Sequence, residues 1–243
     1  GVQVSKNSSG MGGSAKVSIR GVRSVAGDNQ PLYVIDGVPM LNSTSEQAYS
    51  AIGGTANAGN RDGGDGISNL NPEDVESISI LKGAPAAALY GSQAANGVIL
   101  ITTKKGNTVG RRDIHFSTGL TFEKAFSLPE MQNSYGVSDV TDSWGEKENL
   151  TVYDNLGDFF RTGLTSITSV SVNSGNDKLQ TYFSYANTTG RGILNENKLS
   201  KHNINLRETA VLFNSRLKLD GNVNVMKQTV KNKPVSGGFY MNP

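Results

Sequence analysis

The 243-residue sequence contains no cysteine, which excludes disulfide bonds, thiolate metal sites and cysteine nucleophiles. The formal net charge is only +2, so the sequence lacks the basic excess that nucleic acid attracts, and we expect no nucleic-acid partner. No apolar run approaches the roughly 20 residues of a membrane helix. Glycine, in contrast, is abundant at 29 residues, beside many Ser, Thr and Asn, a composition typical of turn-rich β structure.

Short strands separated by glycine-rich turns are predicted in the first 106 residues. After one of these strands, Asp36-Gly37 predicts a tight turn. The stretch "APAAALYG" predicts a short helix, with Pro85 in its first turn and Gly91 just past its end. The strand candidates are Val2–Val4, Lys16–Arg20, Leu32–Ile35, Val75–Leu81 and Val98–Thr103.

A long polar stretch from Leu41 to Asn69 interrupts these strands and shows no hydrophobic period. A loop of this length is usually a binding surface or a mobile segment. It contains two superficial motifs that fail in detail. The stretch "GTANAGN" lacks the Lys-Ser/Thr pair of a phosphate-binding loop. The stretch "DGGDG" has Ile67 where a calcium loop needs its sixth-position Gly, which favours an ordinary turn over an ion site.

Beyond Gly106 the sequence alternates between apolar and polar residues. The alternation is clean in Asp113–Glu123 and Arg216–Met226, and each run has about the length of a membrane β-strand. Glu208 is an exception, because it falls on the same side as Ile204 and Leu206. Weaker alternation covers Ser166–Val172, Leu179–Ala186 and His202–Phe213.

The connections between these five strands are predicted to alternate in length. Lys124–Gly163 and Asn187–Lys201 are the long ones, whereas Ser174–Asp177 and the turn at Asn214-Ser215 are short. Outer-membrane barrels combine short periplasmic turns with long external loops and alternate apolar-out with polar-in. Five strands cannot close a barrel, and lipid does not tolerate open sheet edges, so a barrel implies a longer protein than these residues.

No catalytic or metal-binding constellation is present in the sequence. His115 and His202 lie on separate predicted strands, and no motif such as Gly-x-Ser-x-Gly supports a catalytic triad. Glu73 and Asp74 are expected to cap or solvate a turn after Pro72. The sequence therefore predicts no enzyme, no metal and no cofactor.

Three stretches resemble a known family: "SIRGVRS", "PLYVIDGVPM" and "NPEDVESISILKGAPAAALYGSQAANGVILITTKKG". They resemble the plug domain of TonB-dependent outer-membrane transporters, and more closely the SusC/RagA-like branch of the Bacteroidetes. The resemblance implies an α+β plug domain over residues 1–106. It also implies antiparallel strands of a transmembrane β-barrel over residues 107–243, in a full barrel of about 22 strands. The scaffold motif that carries it consists of Lys82, Gly83, Pro85, Tyr90, Gly91, Asn96 and Gly97.

The resemblance implies import of an oligosaccharide or a peptide across the bacterial outer membrane, in contact with outer-membrane lipid. The implied partners are a SusD-like surface lipoprotein, which acts as a lid, and the TonB complex, which engages a segment outside these residues. One alternative is a receptor of the siderophore or cobalamin type. A soluble β-rich binding protein is a further alternative.

The same resemblance places candidate binding residues. In the family, the loop after the "VIDG" strand lies on the outward face of the plug, so the Leu41–Asn69 loop is either the ligand surface or merely a solvated loop. Arg20 and Arg23 are expected to hold the plug to the barrel wall by charge-assisted hydrogen bonds. The substrate-contact candidates are Asn42, Ser45, Gln47, Tyr49, Asn57, Asn60, Arg61 and Asp62.

Overall fold

The structure is a computed structural model that describes residues 1–6, 11–22, 29–40, 42, 64–128, 130, 132–137, 139, 144–148, 151 and 153–231. Within these residues the chain forms a two-stranded, a four-stranded and a five-stranded sheet. None of the helices described is long and apolar enough to span a membrane. The strands are β1 (Val2–Lys6), β2 (Ala15–Ile19), β3 (Leu32–Ile35), β4 (Val38–Met40), β5 (Val75–Leu81), β6 (Val98–Thr103), β7 (Arg112–Glu123), β8 (Gly163–Gly175), β9 (Leu179–Arg191), β10 (Lys198–Leu212) and β11 (Leu217–Lys231), and the α-helices are α1 (Ala84–Tyr90) and α2 (Asn155–Phe159).

The four-stranded sheet has the order β4-β3-β6-β5, in which only the β3–β6 pair is parallel. β6 is a β-branched run at the centre of this sheet, so its side chains are buried on both faces, as expected for a central strand. On one face Val34 and Val98 pack against Ala86 and Ala94, at α1 and the 3₁₀ turn after it. The other face packs against β2.

One turn and one further position in this sheet depend on backbone conformations that glycine favours. Asp36 and Gly37 both have positive φ, at 49° and 87°, which is the two-residue turn that matches the twist of a β-hairpin. Gly97 has a φ of 96°, and a Cβ there would lie 2.9 Å from Cδ1 of Ile19. The close approach of β2 to the start of β6 therefore requires glycine at position 97.

The five-stranded sheet is an antiparallel meander in which β7 to β11 are neighbours in chain order. The connection after β7 is long, and those after β8 and β10 are tight turns, as predicted. The prediction of a long loop over Asn187–Lys201 was wrong, because β9 continues to Arg191 and β10 already begins at Lys198. Thr and Ser in this stretch favour strand, and polarity alone does not stop a strand from continuing.

The two faces of the five-stranded sheet differ in character. On β10 the inner face carries the buried residues Asn203, Asn205 and Arg207, whereas Ile204 and Leu206 on the outer face are exposed. Register extends both faces across the sheet, so the inner face is polar and the outer face carries most of the large apolar residues. Glu208 lies on the outer side, as the alternation predicts, and accepts a hydrogen bond from Thr181 at 3.0 Å.

The apolar band of the outer face runs diagonally across the strands. On β7 it spans 114–122, positions that the register pairs connect to 223–231 on β11. The exposed apolar residues of β11 instead span 217–225, which is a displacement of six positions. Six residues at about 3.3 Å each, over four strand spacings of about 4.8 Å, correspond to an angle of about 45°. Membrane β-strands tilt by about this angle.

Candidate functional site

The inner face of the five-stranded sheet contacts the four-stranded sheet through a polar interface. The residues of the interface lie on β10, β9 and β11 on one side, and at the ends of β3, β5 and β6 on the other. The carboxyl ends of β3 and β6 are adjacent because the two strands are parallel and in register. This brings Asp36 and Thr103 together, facing β10.

Arg207 is the centre of the interface, with only 5% of its side chain exposed. Its Nε and Nη2 donate to the two carboxylate oxygens of Asp220 on β11, each at 2.9 Å, in a bidentate pair. Its Nη1 donates across the interface to Oδ2 of Asp36 at 2.9 Å and to the hydroxyl of Thr103 at 2.7 Å. Lys105 adds a longer ion pair to Asp220 at 3.8 Å. One guanidinium thus joins the two sheets.

Asp36 supports both the turn and the contact between the sheets. Its carboxylate accepts from the backbone N–H of Thr103 at 2.9 Å and from the Thr103 hydroxyl at 2.6 Å. Burial raises the pKa of Asp36, but these hydrogen bonds and the charge of Arg207 outweigh that effect and leave the pKa below its ordinary value. The ionised form is therefore the one that the folded interface favours.

A second contact joins the start of β5 to β9. Asp74 is fully buried, and its Oδ1 accepts a hydrogen bond of 2.9 Å from the hydroxyl of Tyr182. Its Oδ2 has no hydrogen-bond partner among the residues that the structure describes. The expectation that Asp74 caps or solvates a turn was wrong. Its neighbour Asn71 performs the capping, accepting from the backbone N–H of Glu73.

Further contacts join side chains of the five-stranded sheet to backbone groups of the preceding part of the chain. Asn203 donates to the carbonyl of Asn69 at 2.6 Å, and Lys201 donates to the carbonyl of Ser68. At the other end of the interface, Asn173 donates to the carbonyl of Lys105 at 3.1 Å and accepts from the N–H of Asn107 at 2.6 Å. Residues 68–69 and 105–107 are thus bound to the five-stranded sheet on either side of Arg207.

The contacts of this interface are of a kind that suits reversible association. Its contacts are hydrogen bonds and ion pairs, which water can replace when the surfaces separate, so separation exposes little apolar surface. Within the described part of the chain, no group of three His, Cys, Asp or Glu side chains could hold a metal ion. Asp65 uses its two carboxylate oxygens for the backbone N–H groups of Ala15 and Ser68.

The predicted substrate-contact residues fall mostly outside the described part of the chain. Asn42 is the exception, and its side chain forms hydrogen bonds with residues that precede β3 and β5. It accepts from the N–H of Ile67 at 3.0 Å and donates to Gln30 at 3.3 Å. The candidates outside the described residues are Ser45, Gln47, Tyr49, Asn57, Asn60, Arg61 and Asp62.

The scaffold motif surrounds α1. Gly83 precedes the helix and Gly91 ends it, both with positive φ, and Pro85 occupies its first turn. Tyr90 is partly buried against the cluster around Val34 and Val98. Lys82 follows directly after β5, and Asn96 and Gly97 lie just before β6.

The predicted arginine contact between the two sheets is reversed in the structure, because the arginine lies on the five-stranded sheet and not on the four-stranded one. Arg20 is exposed and forms no ion pair with a described residue, and Arg23 lies outside the described part of the chain. The arginine that joins the sheets is Arg207 on the wall, and its partner on the four-stranded unit is Asp36. The available signal was a cation at an inward position of β10, but alternation alone could not identify its partner, 171 residues away.

Comparisons with known proteins agree with this architecture. Residues 1–98 match the family model of the TonB-dependent receptor plug domain. TonB-dependent receptor SusC of Bacteroides thetaiotaomicron is 31% identical over 98% of this chain and 22% of the relative. The ferrienterobactin receptor of Escherichia coli is 32% identical over 64% of this chain and 19% of the relative.

A solved structure of the RagAB peptide importer in its "closed-closed" state superimposes with a TM-score of 0.70 at 22% identity, over 95% of this chain and 28% of that one. The chain therefore spans about a fifth to a quarter of the proteins that it matches. These proteins are named as receptors and importers, not as enzymes. The chain belongs to the SusC/RagA-like TonB-dependent receptors, with their plug domain followed by antiparallel strands of their barrel.

Proposed function

We propose that this chain supplies the plug and the adjoining wall of a transporter that imports an oligosaccharide or a peptide across the bacterial outer membrane. The plug occupies residues 1–106 and the barrel strands occupy 107–243. The observation that carries the proposal is the polar interface around Arg207. A plug must stay seated and yet move when substrate passes, and a contact of hydrogen bonds and ion pairs suits both requirements.

The position of the Leu41–Asn69 loop supports the ligand side of the proposal. Its described end, residues 64–69, contacts the five-stranded sheet at Lys201 and Asn203, farther from the tight turns than Arg207 is. Tight turns mark the periplasmic end of outer-membrane barrels, so this described end of the loop lies toward the external side. Its Asn, Ser, Gln and Arg side chains can hydrogen-bond hydroxyl groups or peptide backbone.

Partners follow from the relatives. We propose a SusD-like surface lipoprotein as the lid, because the matched relatives and structures include SusC and the RagAB importer. We propose that energy comes from the TonB complex, through a segment outside these residues. Binding outside would then be coupled to the plug and to TonB on the inside.

Uptake by cells that carry the full-length gene tests this function. A deletion strain and its complemented parent are supplied with labelled oligosaccharides, labelled peptides of three to ten residues, or a ferric siderophore. We expect gene-dependent uptake of an oligosaccharide or a peptide, abolished by a protonophore and by deletion of a neighbouring lipoprotein gene. Uptake of the ferric siderophore alone would instead establish the siderophore alternative, which the similarity to the ferrienterobactin receptor favours.

The ligand contacts can be tested within the same strains. We expect Asn60→Ala to raise the ligand concentration for half-maximal uptake without changing the amount of folded protein. Asn42→Ala is the matched comparison, because its amide is engaged in internal hydrogen bonds. It should lower the amount of folded protein and leave the half-saturating concentration unchanged. If neither Asn60→Ala nor Tyr49→Ala changes that concentration, the loop is not the ligand surface.

A further inference from the structure

A row of cations spans the outer face of β9, β10 and β11, beyond the apolar band of these three strands. Register places Lys198 directly opposite Arg191 on one side and Lys231 on the other. Adjacent strands are about 4.8 Å apart, so three cations on the same face lie within about 10 Å. All three side chains are exposed. Like charges directly opposite each other are destabilising, so the row calls for an anion.

The protein itself neutralises only part of this charge. Glu196, in the turn between β9 and β10, forms an ion pair with Lys198 at 2.8 Å. Its carboxylate also interacts electrostatically with Arg161 and Lys231. Arg191 and Lys231 have no salt bridge with a described residue. One carboxylate therefore serves a group with a surplus of positive charge.

The surface next to the row is built in layers. The neighbouring outer-face row is made of hydroxyl side chains, and together the two rows line a groove of about 550 Å³. Two rows farther along, Ile204 and Val225 belong to the apolar band. The row in between is polar and holds His202, Asn187 and Lys227. A molecule that lies along these strands thus meets apolar side chains first, then this mixed polar row, then hydroxyls, then the three cations. The hydroxyl row consists of Ser166, Thr189, Ser200 and Thr229.

From this layering we infer a binding site for the phosphorylated headgroup of an outer-leaflet glycolipid. The acyl chains lie on the apolar band, the sugar hydroxyls meet the hydroxyl row, and the phosphates pair with Arg191, Lys198 and Lys231. Charge complementarity selects the phosphate, and continuity with the apolar band selects a lipid over a free anion. The row lies at the end of the sheet opposite the tight turns, which is the external end. The inference rests on the proposed membrane location, but not on the imported substrate.

Lipid binding by the full-length protein in dodecylmaltoside micelles tests the site. The protein is titrated with bisphosphorylated lipid A, and the dissociation constant is measured by microscale thermophoresis. The triple variant R191A/K198A/K231A should bind at least about tenfold more weakly, because each cation near a lipid surface contributes to affinity. The matched control K178A/R216A/K218A removes three cations at the opposite end of the strands and should bind within about twofold of the parent.

Two further control titrations test whether the lipid phosphates are what the site recognises. Fully dephosphorylated lipid A should bind the unmodified protein as weakly as bisphosphorylated lipid A binds the triple variant, and this arm does not depend on any variant that folds poorly. Millimolar inorganic phosphate should leave lipid A binding unchanged. Equal binding by the parent and the triple variant, no preference for the phosphorylated lipid, or displacement by inorganic phosphate would each overturn the inference. The proposed function fails separately, by loss of uptake, which this binding assay does not measure.

Discussion

The two faces of the five-stranded sheet present opposite chemistry from the same strands. On β10, Arg207 is buried in ion pairs on the inner face, while its neighbour Leu206 is 45% exposed on the outer face. In a water-soluble protein the apolar face would be the buried one. This reversal is the pattern of an outer-membrane barrel wall, in which the inner face meets the plug and the outer face is the one we propose to contact lipid. Substitutions of matched type on the two faces therefore separate the two environments.

The largest difference in stability between matched substitutions on the two faces is expected at Arg207. Replacing Arg207 with Ala leaves Asp36 and Asp220 without their shared cation, and breaking a buried ion pair costs about 3–5 kcal/mol. Lys227→Ala removes an exposed cation from the outer face and should cost less than about 1 kcal/mol. Chemical denaturation of the full-length protein in lipid measures both. Equal effects at the two positions would show that Arg207 does not hold the sheets together.

The next difference concerns the lipid-facing side. Leu120→Arg places a charge in the apolar band on β7, two positions from the middle of 114–122, at a cost of about 1–3 kcal/mol. Thr121→Arg puts the same side chain on the inner face one residue later and should be close to neutral. Folding yield and unfolding free energy in lipid vesicles distinguish the two. If Leu120→Arg is tolerated as well as Thr121→Arg, the outer face does not contact the bilayer.

A smaller difference in stability is expected when each of two tyrosines of β9 is replaced by Phe. Tyr182→Phe removes the only hydrogen bond to the carboxylate of Asp74 among the described residues, which leaves a buried carboxylate unpaired at a cost of about 1–3 kcal/mol. Tyr185→Phe removes a hydroxyl that lies 2.9 Å from Nδ1 of His202 on the outer face, and should cost under about 1 kcal/mol. A larger loss for Tyr185→Phe would contradict the assignment of the buried contact.

The smallest effect concerns pH. The pKa of Asp36 is lowered in the folded protein, so its ionised form contributes stability above the ordinary value of 3.8. That contribution is lost as the pH falls below 3.8 and through the lower folded pKa. Thermal unfolding of the parent should therefore weaken more steeply below about pH 4 than that of Asp36→Asn. Identical pH profiles would show that Asp36 does not carry the pH dependence.

Local patterns allowed much of the fold to be predicted. The β5 strand and the Asp36-Gly37 turn follow from alternation and from the demand for positive φ, and both are found where the sequence places them. The helix in "APAAALYG" is likewise bounded by Pro85 and Gly91. The end of β9 does not follow from alternation, because Thr188 and Thr189 are polar like loop residues, although threonine fits strands well.

The interface could not be predicted in the same way. Alternation shows that Arg207 and Tyr182 point inward, but their partners Asp36 and Asp74 lie 171 and 108 residues away along the chain. Nothing local distinguishes Asp74 from Glu73, although one is fully buried in the interface and the other is not. Which charges meet is decided by how the two sheets dock.

The separate two-stranded sheet has a mechanical consequence. Among the residues that the structure describes, β1 pairs only with β2, and Val2 opposite Ile19 forms the open end of this pair. A tension applied at Gly1, with the chain after Ile19 anchored, would load the pair at that end and unzip it one hydrogen bond at a time. The parallel β3–β6 pair in the next sheet has no such open end, so it would have to shear. The pair that yields first under load is thus the one whose loss leaves the four-stranded sheet and its contact with Arg207 intact.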